Sequence, residues 1–95
     1  MRIDFIVCPE NIESKIESKH HLSVQEVREM MLNHPRIRFA EKGYTEGEDV
    51  YVAFGQTFDG RYLTGFFVYK PKTATAIIIS ARDMSAKERK QYGRK

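Results

Sequence analysis

Residues 50–82 read VYVAFGQTFDGRYLTGFFVYKPKTATAIIISAR, and this run decides the fold. From Val50 to Thr57 the side chains follow the two-residue period of a strand. Val50, Val52, Phe54 and Gln56 lie on one face, and Tyr51, Ala53, Gly55 and Thr57 lie on the other. Asp59-Gly60 is a strong hairpin signal and predicts a two-residue turn, in which both central residues need positive φ. Arg61 to Tyr69 is then the return strand. Lys70-Pro71-Lys72-Thr73 turns the chain again, and Thr75 to Arg82 follows with Ile77, Ile78 and Ile79 β-branched in a row. Turns this short leave no room for crossover helices, so the strands are antiparallel.

Upstream, Ile37 and Phe39 alternate with charged neighbours as a further strand, and Gly43 to Asp49 is a polar loop with two glycines. Ser23 and Glu26 have the spacing of a capping box, and Leu22 and Val27 that of a hydrophobic staple. A helix therefore starts at Ser23, buries Val24, Val27, Met30 and Met31, and stops before Pro35. Pro9 suits the first turn of an earlier helix, on which Ile12 and Ile16 share a face and which fades near His20 or His21. Ile3, Phe5 and Val7 have the alternation of a short half-buried strand. Downstream, Ser85 and Glu88 form a second capping box for a helix that runs to Tyr92 and ends at Gly93. The expected architecture is α+β: two N-terminal helices, an antiparallel sheet of about four strands with helices against one face, and a C-terminal helix.

The chain has 95 residues, enough for one domain with one core, so residues 1–95 are expected to fold as a unit. An apolar fraction of 41% fits a folded chain rather than a disordered one. The single cysteine, Cys8, cannot form an internal disulfide and fits a reducing compartment. No charged leader precedes an apolar stretch, and no apolar run approaches the ~20 residues of a membrane helix. A soluble cytoplasmic protein is expected. His21, His34 and Cys8 offer no metal-ligand spacing, so neither a zinc site nor a cofactor is expected.

The net charge of +3 is unevenly spread: residues 82–95 hold six basic and two acidic side chains, and the remainder sums to −1. A basic end suits a polyanion, either nucleic acid or an acidic protein surface, and equally suits a solvated tail. The expected turns place Gln56 opposite Leu63 and Arg61 opposite Arg82, which sets both arginines side by side at one end of the sheet. Like charges so opposed repel unless an anion lies between them, and the planar guanidinium fork suits phosphate. The competing arrangement is surface ion pairing of Arg61 and Arg82 with Asp59 and Asp83.

Several segments together resemble the BrnT toxins of the RelE superfamily. They are Gly55-Gln56-Thr57, Gly60-Arg61-Tyr62-Leu63, Ile79-Ser80-Ala81-Arg82-Asp83-Met84 and Glu88-Arg89-Lys90-Gln91-Tyr92, with Lys19-His20, Leu22-Ser23 and Glu26-Val27 in the first half. His21 stands where that family usually has glycine, and Val7-Cys8 where it has Trp-Asp. The resemblance implies a RelE-like fold and a metal-independent endoribonuclease toxin. It also implies an antitoxin partner, commonly a ribbon-helix-helix protein whose dimer joins two toxin chains.

Metal-free RNA cleavage uses the ribose 2′-hydroxyl as nucleophile. It needs a base, an acid and positive charge on the phosphate. The expected charge comes from Arg61 and Arg82. His20 is the first acid–base candidate because histidine titrates nearest neutrality, and Tyr92 is the second. A histidine at the negative end of a helix dipole and an aromatic that docks the last helix are the structural alternatives for these two. Lys19, Arg89 and Lys90, with Gln56 nearby, would track the RNA backbone. A non-catalytic module of the same fold that binds RNA, a ribosome or a protein is the alternative function. A plain interaction subunit that meets an acidic protein segment is a third.

Overall fold

The computed structural model describes residues 1–94; Lys95, counted above in the basic end, lies outside them. Five strands and three helices follow in the order β1 (Phe5–Val7), α1 (Glu10–His20), α2 (Val24–Leu32), β2 (Arg36–Glu41), β3 (Val50–Gln56), β4 (Tyr62–Lys70), β5 (Thr75–Asp83) and α3 (Ala86–Tyr92). The sheet order is β1-β5-β4-β3-β2. Strands β2 to β5 form the expected antiparallel meander. The expectation of about four antiparallel strands is corrected at one edge, where β1 pairs parallel with β5 through Phe5 and Thr75. Two helices separate β1 from the next strand, so the chain is long enough to carry it to the far edge of the sheet.

The alternation expected for β1 is also corrected. Ile6 is half-buried against the core, whereas Phe5 and Val7 are exposed. Both capping boxes form: the hydroxyls of Ser23 and Ser85 accept from the backbone N–H groups of Glu26 and Glu88, and each glutamate accepts from its serine's N–H. Pro9 takes the N-cap position of α1, one residue before the first turn.

Helices α1 and α2 cover one face of the sheet. Ile16, Leu22, Val27, Met30 and Met31 pack on Ala53, Leu63, Phe67, Ala76, Ile78 and Ala81. Each large side chain so buried contributes about 1.5–3 kcal/mol. Gly65 lies under Met30, where a Cβ would stand 3.0 Å from the methionine Cε. A bare backbone there lets α2 approach the sheet closely.

The hairpin between β3 and β4 is one residue longer than expected. Thr57 N–H donates to the Arg61 carbonyl, Gly60 N–H donates to the Thr57 carbonyl, and Gly60 is left-handed at φ +93°. This is a three-residue loop closed by a residue that favours glycine. It pairs Gln56 with Tyr62 rather than with Leu63. A register shift near Ile79 and a four-residue turn between Lys70 and Thr75 place Arg82 opposite Thr64. The expected side-by-side placement of Arg61 and Arg82 is therefore corrected: one residue of slip turns a side chain to the opposite face.

Candidate functional site

Arg61 stands on the helix-covered face, where every N–H of its guanidinium is used. Nε donates to Asp83 Oδ1 at 2.8 Å and Nη2 to Asp83 Oδ2 at 3.1 Å. Nη1 donates to Glu26 Oε2 at 3.0 Å and to the His21 carbonyl at 3.1 Å, and Nη2 also reaches the His20 carbonyl at 3.0 Å. A guanidinium has five donors, so none is left for a ligand. Arg61 fastens the carbonyl end of α1, the first turn of α2 and the end of β5. Its hydrogen bonds hold the Asp83 carboxyl below its ordinary range. Glu26 is also lowered, first by the Ser23 N–H and then by Arg61.

α1 ends on His21, which adopts the left-handed conformation at φ 50° and turns the last carbonyls toward Arg61. His20 follows α1 to this rim, and its charge adds to that of Arg61 in lowering Asp83. Lys19 is exposed on the same helix. These residues sit on the side of the sheet that carries α1 and α2.

The other face carries a different constellation. Arg36 pairs with Phe54, Phe54 with Thr64, and Thr64 with Arg82, so four strands supply one row across the sheet with an arginine at each end. At about 4.8 Å between strands the row spans roughly 14 Å. The next row is Arg38, Val52, Phe66 and Ser80. Arg38 lies over the Phe54 ring with its guanidinium carbon 5.4 Å from the centroid, and Arg82 lies over Phe66 at 5.9 Å.

Helix α3 crosses this face at one end. Arg82 holds Glu88 by two parallel bonds, Nη1 to Oε1 at 2.6 Å and Nη2 to Oε2 at 2.9 Å. The hydroxyl of Thr64, a fully buried residue, donates to Glu88 Oε1 at 3.2 Å. Arg82 is the first cause, and Ser85 N–H and Thr64 are further ones, that pull the Glu88 carboxyl down to about 2. Half-buried Tyr92 meets Tyr62 edge to face at 6.1 Å, Arg36 lies over the Tyr92 ring at 5.5 Å, and Arg89 lies over Tyr62 at 4.3 Å. A cleft of about 590 Å³ opens between α3 and β2, lined by Arg36, Arg38, Phe54, Glu88, Tyr92 and Arg94 among others.

Of the residues expected at a site, the sheet brings Arg82, Tyr92 and Arg89 to this face and leaves Arg61, His20 and Lys19 on the other. Gln56 lies beside Tyr62 and donates to the Gly60 carbonyl at 3.3 Å; Lys90 is exposed on α3. Arg36 and Arg38 escaped notice in the sequence. The signal was present: in Arg36-Ile37-Arg38-Phe39 the two arginines share one strand face. Among the described residues no three His, Cys, Asp or Glu side chains gather as a metal site requires. Among the same residues no helix is long and apolar enough to cross a membrane.

An α+β domain with arginines set among aromatic rings in an open cleft has the surface of a protein that handles a polyanion. The family model for the BrnT ribonuclease toxin of type II toxin–antitoxin systems matches residues 9–88, and the chain belongs to that family. It is accordingly a ribonuclease toxin with an antitoxin partner. No curated protein sequence matches the chain.

Proposed function

We propose that this toxin cleaves RNA on the α3 side of the sheet, in a RelE-like, metal-independent reaction driven by the substrate's own 2′-hydroxyl. The observation that carries the reading is the row Arg36–Phe54–Thr64–Arg82, which sets cations and a base-stacking ring on one open face beside Tyr92. The 2′-oxygen attacks the neighbouring phosphorus and loses its proton. The P–O5′ bond breaks, the 5′-oxygen takes a proton, and a 2′,3′-cyclic phosphate remains. Arg82 and Arg36 offset the charge that grows on the phosphate oxygens, an effect worth about 10²–10³-fold in rate per donor. Tyr92, at the cleft, donates the proton to the leaving oxygen or stacks on the adjacent base. Arg38, Arg89 and Lys90 hold the flanking backbone, and Gln56 contacts the strand at the hairpin end.

In this reading Arg61 is a structural fastener, and His20 with Lys19 supports the rim where α1 ends. The partner is a ribbon-helix-helix antitoxin whose dimer joins two toxin chains, and both act in the cytoplasm. The test is incubation of the purified chain with a labelled oligoribonucleotide and with its 2′-O-methyl counterpart. Cleavage of the first alone, with a cyclic phosphate end, supports the reading. Equal cleavage of both, or loss of cleavage on adding a chelator, overturns it.

A further inference from the structure

Arg82 and Thr64 already bind an anion, and the chain itself supplies it. The two oxygens of Glu88 take both terminal nitrogens of Arg82, at 2.6 and 2.9 Å, and the hydroxyl of Thr64 at 3.2 Å. A bidentate guanidinium with a hydroxyl donor beside it is equally a phosphate-binding arrangement, because carboxylate and phosphate present similar pairs of oxygens to the fork. The element that delivers the carboxylate is weakly fixed. α3 has seven residues, none of them buried, and is docked by Glu88, by Tyr92 against Tyr62, and by Arg36 and Arg89 over those rings. So short a helix has little stability of its own, and a segment with few buried apolar contacts opens at low cost.

We infer that Glu88 is a built-in competitor for the substrate phosphodiester: its carboxylate occupies the Arg82–Thr64 anion site in the resting toxin, and RNA engages Arg82 only after displacing it. This rests on the reading of the α3 face as the RNA site. RNA binding and the release of α3 are then coupled, and the toxin is restrained by its own last helix before any antitoxin acts. Once displaced, Glu88 still caps α3 through the Ser85 N–H, so the helix need not unravel.

Glu88→Gln separates the two roles, since glutamine serves the capping box as well as glutamate does but carries no charge for Arg82. The experiment titrates inorganic phosphate, and then a 2′-O-methyl oligoribonucleotide, into the full chain and into Glu88→Gln while following the Arg82 side-chain N–H resonance. The expected result is binding about 10- to 100-fold tighter in the variant, the range set by loss of charge-assisted hydrogen bonds. Adding Arg82→Lys to the variant should cancel that gain. Unchanged affinity in folded Glu88→Gln overturns the inference, even if the parent cleaves RNA. Tighter phosphate binding without RNA cleavage by either protein upholds the competitor and removes the ribonuclease reading of this face. Should Glu88→Gln not fold, Glu88→Asp, whose shorter carboxylate falls short of Arg82, must show the same gain, and its absence there also overturns the inference.

Discussion

Arg61 and Asp83 are joined by a two-bond fork, 2.8 Å from Nε to Oδ1 and 3.1 Å from Nη2 to Oδ2, across the end of the sheet that faces α1 and α2. The same guanidinium takes Glu26 and two helix carbonyls, so it closes three elements at one point. Arg61→Ala is expected to cost about 2–3 kcal/mol, as hydrogen bonds to charged groups do when one side is removed. For a domain of this size that lowers Tm by roughly 10 °C or more. Thermal melts followed by circular dichroism check it. A variant with parental Tm but no ribonuclease activity would place Arg61 in the chemistry instead.

Acid should unfold the protein through the carboxylates that these arginines hold. Glu88 lies at about 2 in the folded chain, and Asp83 and Glu26 are also lowered. A carboxyl depressed by folding contributes stability that is complete above its unfolded pKa and is lost as pH falls through the folded one. Urea unfolding should therefore show a plateau from neutral pH down to about 5 and a decline from there toward pH 2. Glu88→Gln should flatten the decline. A variant that tracks the parent across that window would remove Glu88 from the account.

His21 carries a side chain in the left-handed region, at φ 50°. That conformation costs an ordinary residue about 1–2 kcal/mol and costs glycine almost nothing. His21→Gly should raise Tm by several degrees, roughly 4–8 °C per kcal/mol for a domain of about this length. The backbone carbonyl that Arg61 uses is unchanged by the substitution. His21→Ala, which keeps the strain, is the control and should bring no gain.

The elements were legible where local chemistry dictates them. Ser23 with Glu26 and Ser85 with Glu88 announce two helix starts, and the alternation from Val50 to Thr57 announces a strand whose core face is Ala53 and Gly55. The site was less legible because it depends on register. Asp59-Gly60 fixes where the chain turns but not the loop length, since glycine at positive φ serves a two-residue and a three-residue loop alike. Thr57 settles it by closing on Arg61 through both its N–H and its hydroxyl. That one residue moves Gln56 from Leu63 to Tyr62, whereas Arg82 is turned to the face away from Arg61 by the register shift between β4 and β5. The irregularity near Ile79 leaves no mark in a run of three isoleucines, and the partnership of Arg36 with Tyr92 joins the two ends of the meander, beyond any local pattern.

Arg36 and Arg38 give the sharpest test of which face meets RNA. Both are exposed on β2, their guanidinium groups lie over Tyr92 and Phe54, and among the described residues neither forms a salt bridge. Their removal should therefore leave the fold nearly unchanged, within about 0.5 kcal/mol each, as surface substitutions usually do. Binding of a 2′-O-methyl oligoribonucleotide, measured at several salt concentrations, should weaken in Arg36→Ala and again in the double variant. The slope of log K against log salt should flatten by about 0.7 for each single-strand phosphate that the variant no longer neutralises. Lys19→Ala, on the opposite side of the sheet, should leave both affinity and slope as they are. If Lys19→Ala flattens the slope and the β2 variants do not, RNA runs along the α1 rim, and His20 rather than Tyr92 becomes the group to examine for proton transfer.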